Sequence, residues 1–176
     1  MTTDQIEEIE NINLIQKAKG MLPNIPDEVF NTWLLPIIRD HNSWPYLNIL
    51  SVHPSEQWRK YFGLFTLYDV SNLFWDKVTI RLASRILDPV SNDTIKALIG
   101  YCVDGLETPA RNVRNCKMRF DGFVQFINRT GTIPAPIIGI NTFGCIRILD
   151  GNHRLAALKH LGLLGNVTCE TWLGHP

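Results

Sequence analysis

Residues Ile148 to Leu158 read Ile-Leu-Asp-Gly-Asn-His-Arg-Leu-Ala-Ala-Leu, and this stretch decides how the second half of the chain is interpreted. An apolar segment leads into Asp-Gly, and the residues that follow are typical of a helix. The glycine at this junction predicts a tight turn from a strand into a helix. Because the first turn of a helix presents unpaired N–H groups and a partial positive charge, the junction can receive an anion.

Two cationic or titratable side chains fall in the first turn of this predicted helix. His153 and Arg154 can meet a phosphate there, and arginine can bind it through a bidentate fork. A cation in the first turn opposes the helix dipole unless an anion lies beside it, which favours a ligand. A purely structural interpretation stays open: Asp150 or Asn152 caps the helix, and Arg154 pairs with Asp150.

The pattern around this stretch predicts an α+β domain with a small mixed sheet. Apolar residues recur at helical spacing in some segments and alternate in others. The predicted elements are a strand at 77–87, a short helix capped by Asn92-Asp93, a helix at 120–130, a strand at 136–140, a turn at 141–144, a strand at 145–149, a helix at 151–161 and a closing strand at 166–173.

The first half of the chain predicts helices, so we divide the chain into an N-terminal helical extension (1–76) and an α+β domain (77–176). Pro26 opens a helix that Pro36 kinks. Its apolar face is expected to carry Val29, Phe30, Trp33, Leu34 and Ile37. Other helix starts lie at Thr3 and Pro54. Four of the five tryptophans precede residue 80, and they form either core or a surface for a protein partner or a second copy.

Composition predicts a globular cytoplasmic protein of 176 residues, with 45% hydrophobic and 19% charged residues. No secretory leader or apolar membrane span is visible. The formal net charge is zero, which argues against a protein that coats nucleic acid by bulk electrostatics. The four cysteines form no C-x-x-C pair, so we expect reduced and mostly buried thiols.

A local run of basic residues interrupts this neutral balance. No acidic residue lies between Glu107 and Asp121, whereas four bases do: Arg111, Arg114, Lys117 and Arg119. The run is either a solvated loop or an anion-binding loop that precedes the sheet.

The run from Asp150 to Ala157 resembles the strand-to-helix signature of the ParB/sulfiredoxin-like superfamily. The order of predicted elements across 117–173 is similar as well. Sulfiredoxins carry their reactive cysteine immediately before the His-Arg pair, where this chain has Asn152, so reduction of a sulfinic acid is not expected. The Asp-Gly-x-His-Arg form is most similar to stand-alone members such as free-serine kinases.

The resemblance implies a nucleotide-binding enzyme of phosphoryl transfer, either a small-molecule kinase or a nucleotide hydrolase. The phosphates of ATP, ADP or CTP would lie at Gly151, Asn152, His153 and Arg154, with Arg114 and Arg119 as further cations. His153 would act in both binding and catalysis, and Asp150 would orient the substrate, hold Mg²⁺ or act as an acid–base. Glu107 is the candidate base. Two alternatives remain: a regulator that binds a ligand without turnover, and a ParB-like nucleic-acid-associated protein, which the zero net charge disfavours.

Overall fold

The computed structural model describes residues 12–13, 15–16, 18–20, 22–36, 71–106 and 115–176. The chain divides into two compact units, one formed by 1–75 with residue 176 and the other by 76–175. Among the described residues, no helix combines the length and the apolarity that crossing a bilayer requires. The predicted helix starts at Thr3 and Pro54 lie outside the described residues.

In the first unit, the predicted helix opening at Pro26 is confirmed. A helix α1 (Asp27–Val29) continues into a π-helical segment (Phe30–Leu34), in which the N–H of Leu35 donates to the carbonyl of Phe30. This widened turn directly precedes Pro36, which has no N–H to donate to a carbonyl one turn earlier. The chain from Ile37 onwards, on which the predicted kink depends, lies outside the described residues. The buried residues of this segment are Val29, Phe30, Trp33 and Leu34, as predicted.

Two of the four tryptophans that precede residue 80 can be placed, and both belong to the packed interior. Trp33 and Trp75 are both buried, which favours core over a partner surface for these two. Trp44 and Trp58 lie outside the described residues.

The second unit is built on a four-stranded mixed sheet in the order β1-β4-β2-β3. β2 pairs with β3 in antiparallel register and with β4 in parallel register. The strands are β1 (Phe74–Arg81), β2 (Ile137–Thr142), β3 (Cys145–Asp150) and β4 (Thr168–His175). The α+β class and the predicted hairpin are therefore confirmed.

The hairpin turn is tighter than the predicted four residues. Thr142 pairs with Cys145, which leaves Phe143 and Gly144 as a two-residue loop with φ of 52° and 89°. Two successive positive φ values are the mark of the turns that match the twist of antiparallel strands.

The strand predicted at 77–87 is shifted and shorter. β1 begins at Phe74 and ends at Arg81, and a 3₁₀ turn (Ser84–Ile86) follows it. Leu87 then forms a parallel bridge to Ile146 of β3. The loosely alternating apolar residues of this segment therefore belong to two separate parts of the structure: the first part lies in β1, and Leu87 bridges to β3.

Three helices complete the unit: α2 (Pro89–Cys102), α3 (Cys116–Thr130) and α4 (Asn152–His160). The predicted cap of α2 at Asn92-Asp93 is wrong, since Asp88 accepts from the N–H of Ser91 at 2.8 Å and Pro89 occupies the first helical position. Asp88 also pairs with Arg147 of β3, so the cap is fixed by a residue distant in sequence.

The core of this unit lies between the sheet and the three helices. α4 packs against both α2 and α3, and α2 also contacts α3 and β3. The fully buried apolar side chains include Ile95, Phe120, Ile127, Ile137, Leu155 and Leu158. Because α4 is buried along most of its length, its first turn is held firmly at the end of β3.

Candidate functional site

Gly151 forms the junction between β3 and α4 and adopts a backbone conformation that favours glycine. Its φ is 104°, and a Cβ added there would lie 2.4 Å from Cδ1 of Ile137 on the neighbouring strand. The turn predicted at this residue is therefore confirmed. Glycine is favoured at this position because the turn passes close to β2 and because the backbone has a positive φ.

The first turn of α4 has no side-chain cap. Gly151 is the N-cap residue, and it has no side chain that could accept a hydrogen bond from the N–H groups of the first turn. The first backbone bond of the helix runs from the N–H of Leu155 to the carbonyl of Gly151 at 3.0 Å. The N–H groups of Asn152, His153 and Arg154 precede that bond. The predicted alternative in which Asp150 or Asn152 caps this helix is wrong, and the helix start retains its anion-binding character.

Arg154 lies inside the protein rather than at its surface. Its side chain is 7% exposed. Nη1 donates to the carbonyl of Pro136 at 2.6 Å, and Nη2 pairs with Oδ2 of Asp150. The predicted Asp150–Arg154 pair is thus present, and the guanidinium joins the start of β2 to the end of β3. Two of its donor groups are already engaged in the fold.

His153 contacts a thiol whose position beside it was not predicted from the sequence. Its Nε2 lies 3.2 Å from Sγ of Cys116, the first residue of α3. Burial lowers the pKa of His153, the charges of Arg119 and Arg154 lower it further, and Asp150 opposes them. Near pH 7 the imidazole is therefore neutral, and it meets a ligand as a hydrogen-bonding group rather than as a cation.

Asn152 carries a buried polar atom without a partner. Its Oδ1 is buried and has no hydrogen bond among the described residues. An unpaired buried acceptor costs free energy, so a ligand hydroxyl or amine that reached it would be stabilised. If the amide were turned by half a rotation, it would instead offer two N–H donors to an anion.

Of the predicted basic run, Arg119 is the residue whose charge acts on His153. It is exposed on α3, and its charge lowers the pKa of His153. Lys117 instead pairs with Asp121 at 3.0 Å and donates to the carbonyl of Cys102 at 3.2 Å. Glu107, Arg111 and Arg114 lie outside the described residues, so the structure places none of them.

The described side chains around Asp150 do not fit a magnesium site. Asp150 is the carboxylate at the helix start, and Arg154 already occupies one of its oxygens. Within the described residues, no three His, Cys, Asp or Glu side chains converge as metal ligands would. Magnesium is usually held by one or two carboxylates together with substrate phosphates, and the carboxylate at this helix start is already engaged by an arginine.

Comparison of the chain with protein-family models, with curated proteins and with solved structures finds no match. The resemblance stated from the Asp-Gly-Asn-His-Arg run therefore stays a prediction.

Proposed function

We propose that this chain has a ParB/sulfiredoxin-like fold and binds a nucleotide through its phosphates at the start of α4. The observation that carries the proposal is the uncapped first turn behind Gly151, where the backbone N–H groups of three consecutive residues precede the first helical hydrogen bond. Arg119 adds a positive charge whose field reaches His153 in that turn. These groups are suited to a phosphate because they combine backbone donors with an arginine.

The residues of the motif take different roles in this proposal. Gly151, Asn152 and His153 form the phosphate-binding turn, and Arg119 is the cation. Arg154 is a positioning residue, since its guanidinium is engaged by Asp150 and Pro136. The sequence resemblance instead implies that Arg154 binds phosphate directly, so the proposal changes its role.

For turnover, we propose phosphoryl transfer to a small molecule or to water. Stabilisation of negative charge on the transferring group would come from the α4 N–H groups and Arg119. Asp150 keeps 37% of its side-chain surface exposed. It can therefore orient an attacking hydroxyl while Arg154 holds its other oxygen. Glu107 remains the candidate base from the earlier segment.

A second function, binding without turnover, is favoured by one observation. Asp150, the carboxylate of the described site, is already ion-paired, and a paired carboxylate is a weaker base than a free one. A regulator that holds a nucleotide would need the phosphate-binding turn alone. Both functions require binding of the same nucleotide. Only phosphoryl transfer releases a product.

The binding proposal is tested by substituting Arg119. We expect Arg119→Gln to weaken the affinity for ATP, ADP or CTP by about tenfold to hundredfold, because one charge-assisted contact is lost, worth about 1.5–3 kcal/mol. Isothermal titration of the full chain measures this change. The matched control is Arg129→Gln, which removes the same charge from the opposite end of α3 and should leave the dissociation constant unchanged. No binding by the parent, or an equal loss in both variants, would overturn the proposal.

The catalytic role of Asp150 is tested separately. We expect Asp150→Asn to lower nucleotide turnover by about tenfold or more while the dissociation constant changes little. Arg154→Gln breaks the same ion pair but keeps the carboxylate, so it controls for loss of that pair. Product release is measured by chromatography, and thermal melts verify folding. If the parent binds nucleotide and releases no product, the regulator function stands and phosphoryl transfer is refuted.

A further inference from the structure

Two cysteines and a histidine from three helices meet beside the phosphate-binding turn. Sγ of Cys102 lies 3.6 Å from Sγ of Cys116, and Sγ of Cys116 lies 3.2 Å from Nε2 of His153. Cys102 is the last residue of α2, Cys116 the first residue of α3, and His153 lies in the first turn of α4. Both thiols are free.

The two thiols have different surroundings. Cys116 has the imidazole of His153 in contact, with Nε2 3.2 Å from its Sγ, and this nitrogen can accept the thiol proton. The Cys102 thiol instead contacts the thiol of Cys116. Burial raises the pKa of Cys102 to about 12, and the neighbouring Cys116 contributes to that increase. Because Cys116 has the proton acceptor beside it, Cys116 is the thiol that attacks the oxidant first, and Cys102 is the thiol that attacks second.

We propose that Cys116 and Cys102 form a dithiol that a hydroperoxide oxidises to an intramolecular disulfide. In the first step, the Cys116 proton passes to Nε2 of His153, and the thiolate attacks the distal oxygen of the hydroperoxide. The O–O bond breaks, Cys116 becomes a sulfenic acid, and the alcohol, or water from hydrogen peroxide, leaves with a proton. In the second step, Sγ of Cys102 attacks Sγ of Cys116. An S–S bond forms, the S–O bond breaks, and water leaves with the Cys102 proton.

The geometry favours closure of this pair. A disulfide joins sulfurs at about 2.0 Å, so the two atoms must approach by about 1.6 Å from their present 3.6 Å. Cys116 is 7% exposed and Cys102 is 4% exposed, so a hydroperoxide as small as hydrogen peroxide is the oxidant that fits. Once formed, the disulfide is shielded from larger thiols by the same burial.

The other two cysteines provide an internal comparison. Cys145 is the most exposed of the four, and Cys169 is buried with a pKa raised to about 11 by desolvation. Among the described residues, the thiol–thiol and thiol–histidine contacts are those of Cys102, Cys116 and His153, whereas the Cys169 thiol contacts a backbone carbonyl. Exposure alone predicts that Cys145 reacts first, whereas the geometry predicts that Cys116 does.

The test is oxidation of the full chain by limiting hydrogen peroxide, followed by alkylation and peptide mapping by mass spectrometry. We expect a loss of two hydrogen masses and a linked peptide pair containing Cys102 and Cys116, formed before Cys145 is modified. Cys102→Ala should instead leave a sulfenic acid on Cys116 that dimedone traps. Cys116→Ala should abolish the linked pair, and Cys145→Ser should oxidise at the rate of the parent.

His153→Asn tests the proton acceptor. It should slow formation of the linked pair by about tenfold or more, as loss of a general base does. Thermal melts of each variant establish that it folds. Modification of Cys145 ahead of Cys116 in the parent chain, or an absence of the linked pair in folded parent, would overturn the proposal. Neither result depends on nucleotide binding, so the two proposals succeed or fail separately.

Discussion

Gly151→Ala is expected to lower the free energy of unfolding by about 3–5 kcal/mol. Two separate costs combine in this substitution. A φ of 104° is a conformation that side-chain-bearing residues rarely adopt, and the new methyl group would lie 2.4 Å from Cδ1 of Ile137. Ile137 is fully buried in the core, so it has little room to move. Equilibrium unfolding in urea, with circular dichroism as the signal, measures the loss.

Gly162→Ala separates the two costs. Gly162 also has a positive φ, of 70°, but a Cβ there meets no atom within 4 Å. Only the backbone cost remains, and we expect about 1–2 kcal/mol. Equal losses for both variants would show that the junction relaxes around the added methyl group and that the contact with Ile137 imposes no constraint.

Arg154→Met is expected to destabilise the protein by about 2–4 kcal/mol. Methionine fills part of the buried volume but leaves the carbonyl of Pro136 and the carboxylate of Asp150 without their guanidinium partner. Because the Asp150 side chain is 37% exposed, water can compensate for part of the loss. The same urea unfolding measurement applies, and it reports on stability without any ligand.

Arg129→Met is the matched control for Arg154→Met. Arg129 is exposed in the last turn of α3, so its substitution should change stability by no more than about 0.5 kcal/mol. Arg154→Lys keeps the charge but lacks the planar fork that reaches two acceptors, and it should fall between parent and methionine variant. Parent-like stability of Arg154→Met, together with a loss of nucleotide affinity, would return Arg154 to the role of phosphate ligand.

The hairpin and α4 could be predicted from sequence because their signals are local. An alternating apolar segment, a turn and a second apolar segment predict β2 and β3, and the Asp-Gly junction predicts α4. The start of α2 could not be predicted in this way. Asp88 and Asn92 both have side chains that cap helices, and the ion pair that favours Asp88 involves Arg147, which is remote along the chain.

The site shows the same division between local and distant contacts. The pair of Asp150 and Arg154 follows from their spacing along the chain, since each is within reach of the other across one turn. The bond from Arg154 to Pro136 and the contact of His153 with Cys116 arise only when separate elements pack together. The basic run that lies on both sides of Cys116, from Arg111 to Arg119, is the sequence signal near that thiol. It does not indicate that Cys102 lies beside Cys116.

The parallel pairing of β2 with β4 has a consequence for the order in which the sheet assembles. β2 and β3 are joined by a two-residue loop and can pair early, whereas the partners Ile137 and Thr171 are separated by β3 and α4. Closing that longer loop costs more conformational entropy, and such pairings form slowly. Until β4 docks, the inner edge of β2 offers unpaired backbone groups to any other extended chain. One of the two inner strands of the native sheet, β2, is thus an edge strand during folding, with the aggregation risk that an open edge carries.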